Sequence, residues 1–254
     1  MRMHLLSGGR LSMWRNVYYP DAPPGEWFDM PVSCALFWHP QGVALFDTGC
    51  HPDAADRAEE RWGRAAARYS KPIFRRKDTV VGQLSLAGVS PPDVDLVICS
   101  HLHYDHCGCN VFFKRATVLC QAKELAAARA DDAAEQGMLR QEWDVGTPIQ
   151  ALDGAHDVFG DGRLTLIPLP GHTPGSMGAH AVLDRSGAFF LASDAAPVAD
   201  SLQRRTVPTN TWDPALYLAS LEEIARHKSD GATVLFGHDD AQWRSVRTGA
   251  LFYA

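Results

Sequence analysis

The sequence predicts an α/β fold of layered sheets and helices, and three features predict it. Strand-length apolar segments alternate along the chain with Ala-, Arg- and Glu-rich stretches of helical character. Several of those segments, such as "VDLVICS" (94–100), are apolar nearly throughout rather than alternating, as strands covered on both faces are. His or Asp stands at the end of four of them, which places polar chemistry along one rim of a rigid scaffold.

The elements follow in order. The chain opens with strand-like pieces on either side of a Gly8-Gly9 turn. Residues 14–31, "WRNVYYPDAPPGEWFDMP", are aromatic and proline-rich and read as a loop, whose rings either line a hydrophobic pocket or cap the core. "VSCALFWHPQGVALFDTG" (32–49) is two apolar runs joined by His39-Pro40-Gln41-Gly42, a hairpin. "DAADRAEERWGRAAARY" (53–69) is helical, and "TVVGQLSLAGV" (79–89) is a shorter helix stopped by Gly88 and Pro91-Pro92. The buried strand at 94–100 comes next. "TVLCQ" (117–121) is a strand, and "AKELAAARADDAAEQGMLRQ" (122–141) is helical. One hairpin (156–172) turns at Asp161-Gly162 and ends at His172, and a second (178–194) ends at Asp194. A helix covers roughly Pro214 to His227, and "GATVLFGHDD" (231–240) holds a last buried strand ending at His238.

Composition narrows the function classes. At 254 residues the chain suits one domain, 1–254, with a substantial core. A net charge of −6 argues against nucleic acid or an anionic membrane as the partner. Apolar runs such as "GAFFLA" are too short to span a bilayer, and "MRMHLLSGGRLSMW" lacks a signal-peptide core, so a cytoplasmic protein is expected. The six cysteines read as free, buried thiols; Cys107 and Cys109 alone raise a metal question, and a lone Cys-x-Cys is weak evidence for structural zinc. "RWGRAAARYSKPIFRRK" (61–77) is locally basic, either a solvated helix face or a surface that meets an anionic product.

The chemistry concentrates in "SHLHYDHCGCN" (100–110). His101 and His103, at i and i+2, lie on one side of an extended segment, and Asp105 and His106 follow where the chain turns. Imidazole and carboxylate suit zinc and neighbouring transition metals. With His172, Asp194 and His238 the candidate ligands number seven, too many for one open site and suited to two ions sharing a carboxylate. The competing readings are a structural or pH-sensitive histidine patch, a turn histidine at 172 and a surface histidine at 238. The combination argues against them.

"HLHYDH" (101–106), "GHTPGS" (171–176), "SDA" (193–195) and "GHD" (237–239), with "FDTG" (46–49) upstream, resemble the metallo-β-lactamase superfamily in type and order. The resemblance implies a four-layer αβ/βα sandwich, two mixed sheets flanked by helices, with a dinuclear metal site at one edge. It implies that His101, His103 and His172 hold one ion, that Asp105, His106 and His238 hold the other, and that Asp194 bridges them. Asp47 would orient the ligands by hydrogen bonds from behind. Two zinc ions are expected, and manganese, iron or cobalt fit the same set.

Within the superfamily the chain looks most like the N-acyl homoserine lactonase group, in its compact length, its hairpin before Asp47 and its ending "GHDDAQWRSVRTGALFYA". That implies a lactone or ester substrate, a bridging hydroxide as nucleophile, Asp105 or water as proton donor to the departing alkoxide, and a monomer or homodimer. One departure stands out: where lactonases usually carry a tyrosine three residues after the bridging aspartate, this chain has Pro197, so that Tyr18, Tyr19 or Tyr104 replaces the donor, the metals carry the oxyanion alone, or the substrate differs. The alternatives are a glyoxalase II-like thioesterase or ester hydrolase on the same site, a flavodiiron-type redox site, which His103 argues against, and a non-catalytic metal-binding protein.

Overall fold

The computed structural model describes residues 1–254. Two long strands open the chain, β1 (Arg2–Trp14) and β2 (Trp27–His39), followed by β3 (Gly42–Phe46), α1 (Ala54–Tyr69) and β4 (Ser70–Pro72). Next come α2 (Val80–Gln83), β5 (Leu96–Ile98), α3 (Tyr104–Cys107), β6 (Thr117–Gln121), α4 (Ala122–Ala128), α5 (Arg140–Trp143) and β7 (Ile149–Leu152). The remainder holds β8 (His156–Asp157), β9 (Leu164–Pro168), β10 (Met177–Leu183), β11 (Gly187–Ser193), α6 (Ala199–Arg204), α7 (Pro214–Ser229), β12 (Thr233–Phe236) and α8 (Asp240–Trp243).

The strands form two mixed sheets, ordered β4-β1-β2-β3-β5-β6-β7 and β12-β11-β10-β9-β8. Period-two alternation sorts their side chains. Ala35 and Phe37 of β2 face the second sheet, in a core with Leu166, Ala179 and Leu191, while Cys34 and Leu36 face outward onto Leu84 of the 3₁₀ turn after α2 and Leu125 of α4. On the second sheet, Phe190 and Val234 face α7 through Tyr217, Leu221 and Ile224. Helix, sheet, sheet, helix is the four-layer sandwich expected. Both faces of each sheet are covered, which is why its strands read as continuous apolar runs. No helix is long and apolar enough to cross a membrane.

Both second-half hairpins, the hairpin at 39–42 and the helix from Pro214 stand where the sequence puts them. Asp213 caps that helix, accepting from the Ala215 and Leu216 amides at 2.9 and 3.0 Å. Other expectations need correction. Gly8-Gly9 is a β-bulge inside one continuous strand, where the β1–β2 register shifts between Ser7 and Arg10. The loop 14–31 is shorter than expected, because residues from Trp27 onward pair with β1. The helix 122–141 ends at Ala128; the chain then turns so that the Gly137 carbonyl receives the Tyr104 amide, a tertiary contact that outweighs helix propensity. Helix α1 is kinked at Arg57 and Gly63, and only Val80–Gln83 of 79–89 is α-helical before a 3₁₀ turn closed by Gly88. Within the basic stretch Arg64 and Arg75 stay solvent-exposed, as a solvated face would have them, while Arg61 makes two 2.7 Å bonds to the buried Glu142 and Arg76 pairs with Asp53 and Asp56.

The bulge has a packing role. Gly49, at φ +71°, sits against Gly8, and a Cβ on Gly49 would lie 2.3 Å from the Gly8 Cα. This contact brings the loop after β3 onto β1. Gly49→Ala should therefore destabilise by about 1–3 kcal/mol or more. Calorimetry should show the thermal midpoint falling by several degrees, and an unchanged midpoint would mean the contact is slack.

Candidate metal centre

The structure brings all seven candidate ligands together. Asp194 directly follows β11, while His101 and His238 stand three and two residues beyond β5 and β12. His172 lies in the β9–β10 connection, and α3 carries Asp105 and His106. Asp47, just after β3, and Ser193, at the end of β11, both adopt left-handed backbone, φ +57° and +47°. That is uncommon for residues other than glycine, and the surroundings must hold it in place.

His101 Nε2, His103 Nδ1 and His172 Nε2 converge, with His103 Nδ1 3.1 Å from each of the other two. A tetrahedral ion with bonds of about 2.0–2.1 Å spaces its nitrogen ligands about 3.3 Å apart, so the trio fits one cation. In a second group, Asp105 Oδ2 lies 3.7 Å from His106 Nε2 and 3.8 Å from His238 Nε2. Asp194 stands between the groups. Its Oδ1 is 3.3 Å from His106 Nε2 and 2.9 Å from His238 Nε2, and its Oδ2 is 3.3 Å from His172 Nε2.

Three of these atoms test the fit to metal directly. His106 Nε2, His238 Nε2 and Asp194 Oδ1 are buried, and none makes a well-formed hydrogen bond despite the short contacts among them. Burying such an atom without a partner costs about 1–3 kcal/mol. Cations placed between them would satisfy all three.

The far side of each ring is fixed. His106 Nδ1 meets Asp47 Oδ2 at 2.9 Å, His238 Nδ1 donates to the Pro31 carbonyl at 2.8 Å, and His101 Nδ1 lies 3.0 Å from Ser100 Oγ. Asp47 also accepts from the Ser100 amide at 2.7 Å and the Ser100 hydroxyl at 2.8 Å, so one carboxylate positions ligands of both groups. Electrostatics divide the set. Burial pulls His101 and His103 below the ordinary imidazole range and takes His172 down to about 3, which keeps this trio neutral, the ligating form. Burial acts the same way on His106 and His238, but Asp105 and Asp194 outweigh it and raise both. Against its own burial, Asp194 is held well below the carboxylate range by His238, His106 and His172.

Two cavities open on the site. One, of about 250 Å³, is walled by Tyr18, Tyr69, His103, Tyr104, Asp105 and Asp194. The other, of about 220 Å³, is walled by His103, His172, Ala127, Met138 and Pro174, and Trp212 borders both. Cys107 and Cys109 take no part: their thiols face the Leu102, His103 and Cys50 carbonyls within the core, and burial pushes both pKa values up.

A two-sheet sandwich with His and Asp clustered on strand ends defines a class. The family model for the metallo-beta-lactamase superfamily matches residues 27–243, and the chain belongs to that superfamily. Its relatives sharpen the picture. The chain is 31% identical to N-acyl homoserine lactonase AttM of Azorhizobium caulinodans, over 100% of this chain and 98% of that protein. It is 26% identical to N-acyl homoserine lactonase AiiA of Bacillus thuringiensis subsp. kurstaki, over 97% and 96%. Its fold is similar to that of an N-acyl homoserine lactone hydrolase with the product N-hexanoyl-L-homoserine at its catalytic metal centre. There the TM-score is 0.89 at 25% identity, covering 99% of this chain and 98% of that one.

Sequence reasoning missed Glu124. Fully buried, it accepts from the Leu102 amide at 2.9 Å, the Thr173 hydroxyl at 2.7 Å and the Gly175 amide at 3.0 Å. It thereby clamps the loop of His101 and His103 to the loop of His172. A signal existed: Glu124 shares the buried side of α4 with Leu125 and Ala128, an odd place for a carboxylate. Glu124→Gln turns an amide NH₂ toward donors. It should weaken the first trio's affinity for zinc about 10–100-fold, and leave the second group less affected. Competition with a chromophoric chelator measures both, and equal affinity to the wild type would remove the clamp.

Proposed function

We propose that this protein is a metal-dependent hydrolase that opens N-acyl homoserine lactones, an activity of the quorum-quenching kind. One observation carries the reading: Asp194 lies within 3.3 Å of members of both candidate ligand groups beside a cavity of about 250 Å³, in a chain similar over its whole length to lactonases. His101, His103 and His172 would hold one ion, Asp105, His106 and His238 the other, and Asp194 both. Zinc suits the donor types, and manganese, iron or cobalt fit them too. We also read residues 1–254 as one domain and place the protein in the cytoplasm, on six free, buried cysteines.

Two ions so held supply an acidified water as nucleophile and an electrophilic pull on the ester carbonyl. The chain's own residues do the rest. A lactone ring entering the cavity of about 250 Å³ would meet His103, Asp105 and Asp194 in its wall. As the acyl carbon gains the hydroxyl of water and the ring C–O bond breaks, the departing alkoxide needs a proton. Asp105, at the cavity wall, takes the proton that the attacking water gives up and passes it to that oxygen. Asp47 keeps the His106 ring turned so that Nε2 faces Asp194.

Protein purified without added metal should contain close to two ions per chain by plasma mass spectrometry and should open N-hexanoyl homoserine lactone. A chelator should abolish turnover and zinc should restore it. Two ions with no lactone turnover would move the reading to thioesters or other esters, and well under one ion after reconstitution would overturn the site. Asp105→Asn should lower kcat by about 10²-fold or more with a nearly unchanged thermal midpoint. Near-normal turnover would end its role as proton donor.

A further inference from the structure

We propose, resting on the lactonase reading, that the Tyr18 hydroxyl donates the hydrogen bond that receives the substrate's carbonyl oxygen as negative charge develops on it. Four observations converge on this phenol. Its hydroxyl lies 3.2 Å from Asp194 Oδ2, a direct hydrogen bond to the carboxylate shared by the two ligand groups. It also stands in the wall of the cavity that exposes His103, Asp105 and Asp194, where the scissile carbonyl must come.

The ring is held rigidly. Tyr18 is 1% exposed, stacks on the His238 imidazole at 5.6 Å and 15°, and packs edge-on against Phe28 at 6.0 Å. The segment that carries it is tied to the opposite lip of the cavity, the Thr209 amide donating to the Val17 carbonyl at 2.8 Å. A donor fixed before the reaction is what oxyanion stabilisation requires, because no reorganisation is left to be done in the transition state. Turning the hydroxyl proton from Asp194 toward a substrate oxygen takes rotation about one C–O bond and no ring movement.

The other candidates are placed elsewhere. Pro197, three residues past Asp194, has no N–H, and its carbonyl is occupied by the His238 amide at 2.7 Å. Tyr19 lies outside the cavity, under Arg15 at 5.0 Å. Tyr104 lines the cavity but packs on Trp62 at 4.6 Å and makes no hydrogen bond to any of the seven ligand candidates. The donor position is thus filled from the segment between β1 and β2 rather than from the strand end that carries Asp194.

The test is Tyr18→Phe, which keeps the ring and its stack and removes one hydroxyl, in the zinc-loaded full chain. On N-hexanoyl homoserine lactone, kcat should fall about 10²–10³-fold with KM within a few-fold of wild type and two zinc ions retained. A readout independent of turnover is calorimetric affinity for a cyclic phosphonate analogue of the lactone, whose anionic oxygen mimics the developing oxyanion. The variant should bind it about 10–100-fold more weakly, and should bind the ring-opened product as the wild type does. A kcat within about threefold of wild type, or a loss that tracks lost zinc and shows Tyr18 merely props Asp194, would overturn the proposal. If the wild type binds the phosphonate but opens no lactone, the functional reading fails, and the binding comparison still decides Tyr18.

Discussion

Asp194 is buried among three imidazoles, and the rest of the molecule is arranged around that contact. A carboxylate taken out of water costs several kcal/mol unless it is paired, and here it is paired on both oxygens, with His172 on one side and His106 and His238 on the other. The pairing is incomplete as hydrogen bonding, since Oδ1 and the two facing nitrogens are left without proper partners. An arrangement so exacting survives only if the scaffold holds it against relaxation. Both sheets contribute, with β3 and β5 leading in from one and β11 and β12 from the other. The centre therefore exists only where the two sheets meet, and anything that loosens their packing loosens it.

Support from behind follows the same logic. Each carboxylate held out of the ligand groups joins elements that are distant in sequence. Asp47 joins the loop after β3 to Ser100 and His106, and Glu124 joins α4 to the two loops that carry the first trio. Neither carboxylate faces the cavities. Their contribution is positional: they restrict the ligand rings to one orientation, so the entropic cost of ordering the site is met during folding rather than on metal or substrate binding. Two left-handed residues, Asp47 and Ser193, mark where the backbone is bent to achieve this.

Much of this was legible in the chain. Apolar runs of strand length, turn dipeptides and the capped helix at Asp213-Pro214 are local signals, decided by neighbours within a few residues, and those elements stand as expected. So does the juxtaposition of the ligand candidates, because four strand ends carrying His or Asp have few ways to meet other than at one rim. The misreadings arose where distant contacts override local preference. Residues 129–139 carry three alanines and no proline, as a helix would, yet they turn to deliver Gly137 to Tyr104. Gly8-Gly9 looks like a turn, yet β2 pairs straight past it.

By itself the sequence determined the two-sheet architecture and which residue types could serve as ligands, since hydrophobic periodicity and side-chain chemistry are properties of the chain alone. The tertiary structure decided how closely those candidates gather around Asp194, and that Cys107 and Cys109 turn into the core. It also decided that Glu124 clamps two loops and that Tyr18, not Tyr19 or Tyr104, reaches the shared carboxylate. The reason is geometric. A hydrogen bond is won or lost within a few tenths of an ångström, and residues 18 and 194 are brought to 3.2 Å only by the packing of everything between them.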